Sequence, residues 1–303
     1  MPPPPRPDLE SLLGLAPSET TPVLLELARR QSARKRPTDL LTQRERDRFV
    51  HPSLLDLRTA HRLDGLALEA AAGFEALLLS PVAPLGVSSV VAPGSQDRVL
   101  TTMRGTEVVS DPTNVLALES ALRLKNDPGA TVRLTTVHQT LRAQPLPPQP
   151  GFSRHFRLFV LTEAGLGRSA DSFEVEAIAR HVHVFDRLFD LAQASFSLRF
   201  PGRRVILRTD ARHDTLGDRA AAGLAAAMPH VPVARERLES RYYAGVRVTF
   251  GADSAAGEFV PIGDLGVFDW MARLTGHARQ RFVASGFGLQ LLPVLFGSGE
   301  AVR

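Results

Sequence analysis

Two strand-like segments, residues 131–142 and 156–162, carry the groups best suited to bind an anion. His138 and Arg142 lie on the first, and His155 and Arg157 open the second. A loop rich in proline and glutamine, residues 143–153, joins them into a long hairpin. Such a hairpin would gather cationic and proton-carrying side chains at its open end. Arginine there suits a planar, bidentate partner, either phosphate or carboxylate. Phe156 and Phe159 interleave with these groups, and each can stack on a base or fill a core. His181-Val182-His183 invites a metal reading, but positions two apart on a helix point about 200° from each other. Those imidazoles cannot chelate one ion from one face. Asp186 and Asp190 share a helix face and, with Arg187 alongside, read as solvated surface.

Other chemistry is excluded by absence. The 303 residues contain no cysteine, which removes thiol nucleophiles, Cys-ligated zinc, iron–sulfur clusters and disulfides. No phosphate-binding G-x-x-x-x-G-K-[ST], strand-following dinucleotide fingerprint, H-E-x-x-H or G-x-S-x-G occurs. Gly286-Phe287-Gly288 alone carries no weight. No run approaches the roughly 18 uninterrupted apolar residues of a spanning helix. The N-terminus, Met1-Pro2-Pro3-Pro4-Pro5, lacks the basic and apolar regions of a secretory signal, so a cytoplasmic protein is expected. Two lysines stand against 34 arginines, a bias that fits a GC-rich genome better than a chemical demand. Residues 29–62 hold ten Lys/Arg against four acids, so this segment carries a net +6 and the rest of the chain −2, giving the overall +4. This basic segment reads as a solvated face. As an RNA-binding arm it would show salt-dependent RNA affinity, but it lacks interleaved aromatics.

The elements that position these groups follow from periodicity and caps. Residues 1–49 form a Pro-rich arm and a basic helix starting near Thr20 and stopped by Pro37, and residues 50–303 form the core domain. Helices are expected over 53–72, 115–123, 216–228 and 268–276, with another after Leu289. The strongest helix spans 172–195, with Asp171 as its cap and Glu174 completing a capping box. Strands are expected at 74–82, within 99–109, and at 205–208, 231–234, 241–250, 259–262 and 282–287. Strand runs interrupted by helices, with long hairpins, predict an α+β fold with a mostly antiparallel sheet.

The hairpin resembles motif 2 of class II aminoacyl-tRNA synthetases, and in detail the histidyl branch. Residues 136–144, TVHQTLRAQ, resemble the strand holding the motif's arginine, and residues 154–165, RHFRLFVLTEAG, its returning strand. Residues 73–81, GFEALLLSP, resemble motif 1, the dimer-forming helix and strand ending in proline. Arg241-Tyr242-Tyr243-Ala244-Gly245 is similar to the histidyl signature, and Gly266-Val267-Phe268-Asp269 to a downstream G-R-Y-D. Residues 286–292, GFGLQLL, resemble motif 3. The order and spacing hold over residues 50–300. The resemblance implies a class II synthetase-like antiparallel β-sheet flanked by helices, and a homodimer.

It also implies site residues. Arg142 keeps the arginine that contacts the α-phosphate and substrate carboxylate, and Phe156 keeps the aromatic that stacks on adenine. Gln144, Arg154, Tyr242 and Tyr243 complete the implied ligand-binding set. Other positions depart from the family. The motif 3 arginine falls at Leu291, the signature arginine at Leu238 beside Arg237, and the arginine of G-R-Y-D at Val267. Polar substrate readers of the returning strand fall at Leu158, Val160 and Thr162. Adenylation relies on fixed positive charge, and losing one well-placed group costs on the order of 10²–10³ in rate. Adenylation is therefore expected to be largely lost, with no catalytic residue and no metal site assigned. With the chain ending shortly after motif 3, no anticodon-binding domain and no tRNA charging are expected. The regulatory subunit of ATP phosphoribosyltransferase is one such shortened relative within the superfamily. The leading expectation is a ligand-binding or regulatory subunit, homodimeric, with a partner enzyme and no membrane association. Its ligand would be a nucleotide, ATP or AMP with Mg²⁺, or an amino-acid-like metabolite. The alternative is an ATP-dependent ligase for an apolar carboxylate, with Arg203, Arg204 or Arg237 supplying the missing charge.

Overall fold

Backbone groups in an apolar interior must find partners, and the strand-like segments here find them in one another. The structure is a computed structural model that describes residues 9–145 and 152–297. Its strands are β1 (Glu75–Ala76), β2 (Val82–Pro84), β3 (Thr106–Val108), β4 (Val132–Leu141), β5 (His155–Leu166), β6 (Arg204–Thr209), β7 (Val233–Arg237), β8 (Val246–Asp253), β9 (Phe259–Phe268) and β10 (Gln280–Phe287). Its helices are α1 (Leu9–Leu13), α2 (Pro17–Ala33), α3 (Pro37–Arg46), α4 (Leu57–Ala70), α5 (Pro112–Asn126), α6 (Ser172–Ser195), α7 (Asp214–Ala227), α8 (Trp270–Thr275) and α9 (Leu292–Phe296). Eight strands form one sheet in the order β1-β4-β5-β10-β9-β8-β6-β7. The six from β4 to β6 pair antiparallel, while the edge pairs β1/β4 and β6/β7 are parallel. The expected α+β architecture, a mostly antiparallel sheet flanked by helices, is what forms.

Strand alternation divides the core between two faces. Behind the sheet, α4, α6 and α7 cover Phe159, Leu161, Val248, Phe250, Val283 and Phe287. In front, α5 and α8 cover Leu134, Leu158, Val160, Phe282 and Ala284. Residues 158–165 of β5 are buried on both faces, which explains their nearly unbroken apolar run.

Several local expectations change. Helix α6 begins at Ser172 as expected, but Asp171 does not cap it. Asp171 adopts φ +53° and pairs with Arg219 at 2.6 Å, while Glu174 is buried against Arg281 at 3.0 Å. Asp186 is not solvated surface: it is buried on α6, held by Arg203 at 2.8 Å and His230 at 2.9 Å. Tyr242 and Tyr243 precede β8 instead of lying on it, because Gly245 turns the chain at φ +83°. Strand β9 runs on to Phe268, beyond the expected end at residue 262. Pro37 both follows the end of α2 and starts α3, with the Arg36 N–H donating to the Asp39 carboxylate at 2.9 Å. Neither α2 nor α3 buries a residue, and residue 50 falls between α3 and α4. Residues Pro2 to Pro7 lie outside the described chain, as do residues 146–151 of the hairpin loop.

Candidate functional site

Helix α5 packs on β4 and β5, and α8 on β10, which leaves part of the front face uncovered. A cleft of about 350 Å³ opens there. Its apolar floor includes Leu158, Phe268 and Ala284, and its polar walls include Asp111, Arg142, Tyr242, Tyr243 and Asp264. Gly266 makes room for one wall: a Cβ there would meet the Tyr243 ring at 2.3 Å.

Each charged group in the cleft is already engaged. Asp111 caps α5, with Oδ1 accepting from the Thr113 N–H at 3.0 Å and the Thr113 hydroxyl at 2.7 Å. Its Oδ2 accepts from Arg142 Nη2 at 3.3 Å. Arg142 Nε donates to the Ser110 carbonyl at 2.7 Å, and the guanidinium lies 5.3 Å from the Phe156 ring centre. Across the cleft, Arg247 grips Asp264 with two hydrogen bonds, at 3.1 and 2.7 Å. The Tyr243 hydroxyl donates to the same carboxylate at 3.1 Å. Burial raises both tyrosine pKa values well above the ordinary range, reinforced by the Asp111 charge at Tyr242 and by Asp264 at Tyr243. Both phenols therefore stay neutral donors. The Asp264 hydrogen bonds hold Arg247 even more firmly protonated than usual. Two arginines meet two aspartates, so the cleft has no net charge.

A smaller concavity of about 170 Å³ adjoins this cleft and shares Asp111, Arg142 and Tyr242 with it. Of the residues expected at the site, Arg142, Tyr242 and Tyr243 line the main cleft, and Gln144 lines the side concavity. Phe156 sits against Arg142. Arg154 lines neither: it donates to the Gln144 carbonyl and lies over the Phe49 ring.

The hairpin's cations do not gather at one end. Register pairs Gln139 with Arg157 and Thr140 with Phe156, so the two-residue period sends neighbours to opposite faces. Arg157 faces α4 and pairs with Asp64, and the His155 ring contacts Gln139. His138 stays buried opposite Leu158. His181 is fully buried and His183 exposed, so these two rings point apart. Arg203, Arg204 and Arg237 line neither cavity and pair with Asp186, Asp253 and Asp214.

Sequence reading missed Asp264 and Arg247. The signal was present: Val246-Arg247-Val248-Thr249-Phe250 alternates with period two, and Asp264 is the one charge within β9. The glycines flanking Asp264 hid the strand that carries it.

No family model matches this sequence, and no curated protein matches it. Solved structures do match its fold. One is an ATP phosphoribosyltransferase regulatory subunit/histidyl-tRNA synthetase from Bacillus halodurans C, 14% identical, with TM-score 0.59 over 80% of this chain and 81% of that one. Another is apo histidyl-tRNA synthetase of S. aureus, 11% identical, with TM-score 0.57 over 80% and 69%. A third is a putative threonyl-tRNA synthetase from Aeropyrum pernix, 12% identical, with TM-score 0.61 over 78% and 59%. At these identities the likeness is one of fold: this chain has the class II aminoacyl-tRNA synthetase fold.

Proposed function

We propose that the protein is a class II synthetase-like binding or regulatory subunit whose cleft takes a small ligand and does not form adenylates. The observation that carries this reading is the pairing of Arg142 with Asp111 and of Arg247 with Asp264. A triphosphate brings several negative charges, and a cleft whose cations are neutralised one for one offers them little. The residues present therefore do not fit ATP with Mg²⁺. They fit a smaller ligand, a mononucleotide or amino-acid-like metabolite, with Tyr242 and Tyr243 as neutral donors and Leu158 beneath. The commitment of Arg203, Arg204 and Arg237 to other carboxylates weighs against a ligase that recruits them.

The proposed assembly is a homodimer through edge strand β1. Leu78, just beyond it, is 99% exposed, beside the half-buried Leu77 and Leu79. Strand β1 is only two residues long, but the three leucines that continue it leave an exposed apolar patch at the sheet edge, which a second copy would cover.

Two measurements test the ligand reading. AMP and a panel of amino acids are screened for a rise in melting temperature, alongside ATP–pyrophosphate exchange with a mixture of carboxylic acids. The expected result is a thermal shift that Arg142→Ala abolishes, with no exchange. Exchange that disappears in Arg142→Ala would overturn the reading in favour of the ligase.

A further inference from the structure

The side concavity is walled by the segment linking β2 to β3, by residues after β4 and by the start of α5. That segment is braced from inside. Glu107 on β3 is wholly buried, and its carboxylate accepts from the Gly86 N–H at 2.8 Å, the Ser88 N–H at 3.0 Å and Gln96 Nε2 at 2.9 Å. Burial alone would raise the Glu107 pKa, but the hydrogen bonds from Ser88, Gln96 and Gly86 outweigh it and hold the group ionised. Outside, Arg273 donates to the carbonyls of Val90 and Val91 at 2.8 and 3.2 Å. Between these braces, Val87–Val91 forms a single π-helical turn.

From this braced segment a 3₁₀ turn, Gln96–Arg98, presents Arg98 to the concavity. The Arg98 carbonyl accepts the Ala143 N–H at 2.9 Å, one residue past Arg142. The two arginines therefore stand on hydrogen-bonded backbones at one concavity. Arg142 is partly neutralised by Asp111, whereas Arg98 makes no ion pair or side-chain hydrogen bond among the described residues. Arg142 and Arg247 each have a carboxylate, so Arg98 is the cation at this concavity that an external anion can engage without displacing a partner among the described residues.

We infer that this concavity is an oxyanion subsite, where Arg98 and the free edge of Arg142 hold the terminal phosphate or carboxylate of a ligand whose body lies in the main cleft. The inference rests on reading the main cleft as a ligand site. It adds the class of ligand: a small molecule with one anionic end.

The test is calorimetric titration of the full chain with inorganic phosphate, succinate, AMP and adenosine. AMP should bind more tightly than adenosine. Arg98→Ala should weaken phosphate and AMP at least tenfold, as loss of a charge-assisted contact does, and leave adenosine unchanged. Arg98→Lys should recover part of the loss, since a point charge replaces a planar fork. Preference for phosphate over succinate, or the reverse, identifies the anion. Because Arg98 is exposed, the variants should melt within about 2 °C of the parent. Indifference of every probe to Arg98→Ala overturns the subsite, as does failure of both phosphate and succinate to bind. If AMP still binds and Arg142→Ala removes it, the main-cleft reading survives that failure.

Discussion

The two faces of the sheet solve different problems with the same strands. Behind it, Phe185, Phe189, Phe200, Phe250, Phe287 and Phe296 form one aromatic cluster, with Phe189 stacked on Phe200 at 4.0 Å. In front, β8 and β9 turn Arg247 and Asp264 toward the cleft. The sheet is held mainly from behind by packing. The cleft takes its floor from the front core, with Leu158 and Ala284 buried beneath it, and its walls from ion pairs and phenols. If this division is real, a back-face substitution should act on stability and a cleft substitution on binding. The largest effect belongs behind the sheet. Phe189 is fully buried among four other rings. Phe189→Ala should cost about 3–5 kcal/mol in urea denaturation, the range for deleting a buried aromatic. A cost below about 1 kcal/mol would break the comparison.

The back face also holds a titrating group. His181 has no exposed surface, contacts Ser285 Oγ through Nδ1 at 2.9 Å and faces the Phe74 ring at 5.6 Å. Glu163 lies 3.7 Å from Nε2 and favours the protonated ring, while Arg180 opposes it. Burial dominates both and lowers the His181 pKa to about 4. The unfolded chain, titrating near 6.5, takes up the proton first, so stability is complete above that pH and falls as pH drops toward 4. The loss should reach about 3 kcal/mol across this window. His181→Gln should remove that portion of the slope, and equal slopes in the two proteins would show that the buried ring does not titrate this way.

Legibility in the sequence followed the same division. Helix α6 emerged with its end points, because a long apolar stripe behind a sheet is a strong periodic signal. The antiparallel hairpin β4–β5 was legible for the same reason. The cleft was half legible. Arg142, Tyr242 and Tyr243 were found through motif resemblance, but their partners were not. Asp264 sits between glycines whose role is to admit neighbouring rings, and that need appears only when the strands are assembled. The apparent cationic cluster of the hairpin failed because side chains alternate: Arg157 was sent to α4 by register, which spacing within one strand does not reveal. Arg98 carried no signal of its own, since its position depends on a backbone bond to Ala143.

The smallest predicted effect is the one most specific to the cleft. Asp264 neutralises Arg247, and with Asp111 it brings the cleft to zero net charge. Asp264→Asn keeps the size and an accepting oxygen for Arg247 and removes one negative charge. If neutralisation is what keeps polyanions out, pyrophosphate affinity measured by calorimetry should rise about tenfold, or roughly 1.4 kcal/mol. The gain should shrink as salt is raised, because the cleft is open to solvent and its field is screened. Unchanged affinity at low salt would mean that shape, not charge, excludes polyanions. Arg142 and Arg247 would then be structural groups that stitch α5 to β4 and β8 to β9. A rise, by contrast, would show that this scaffold differs from a polyphosphate-binding one by the placement of single carboxylates.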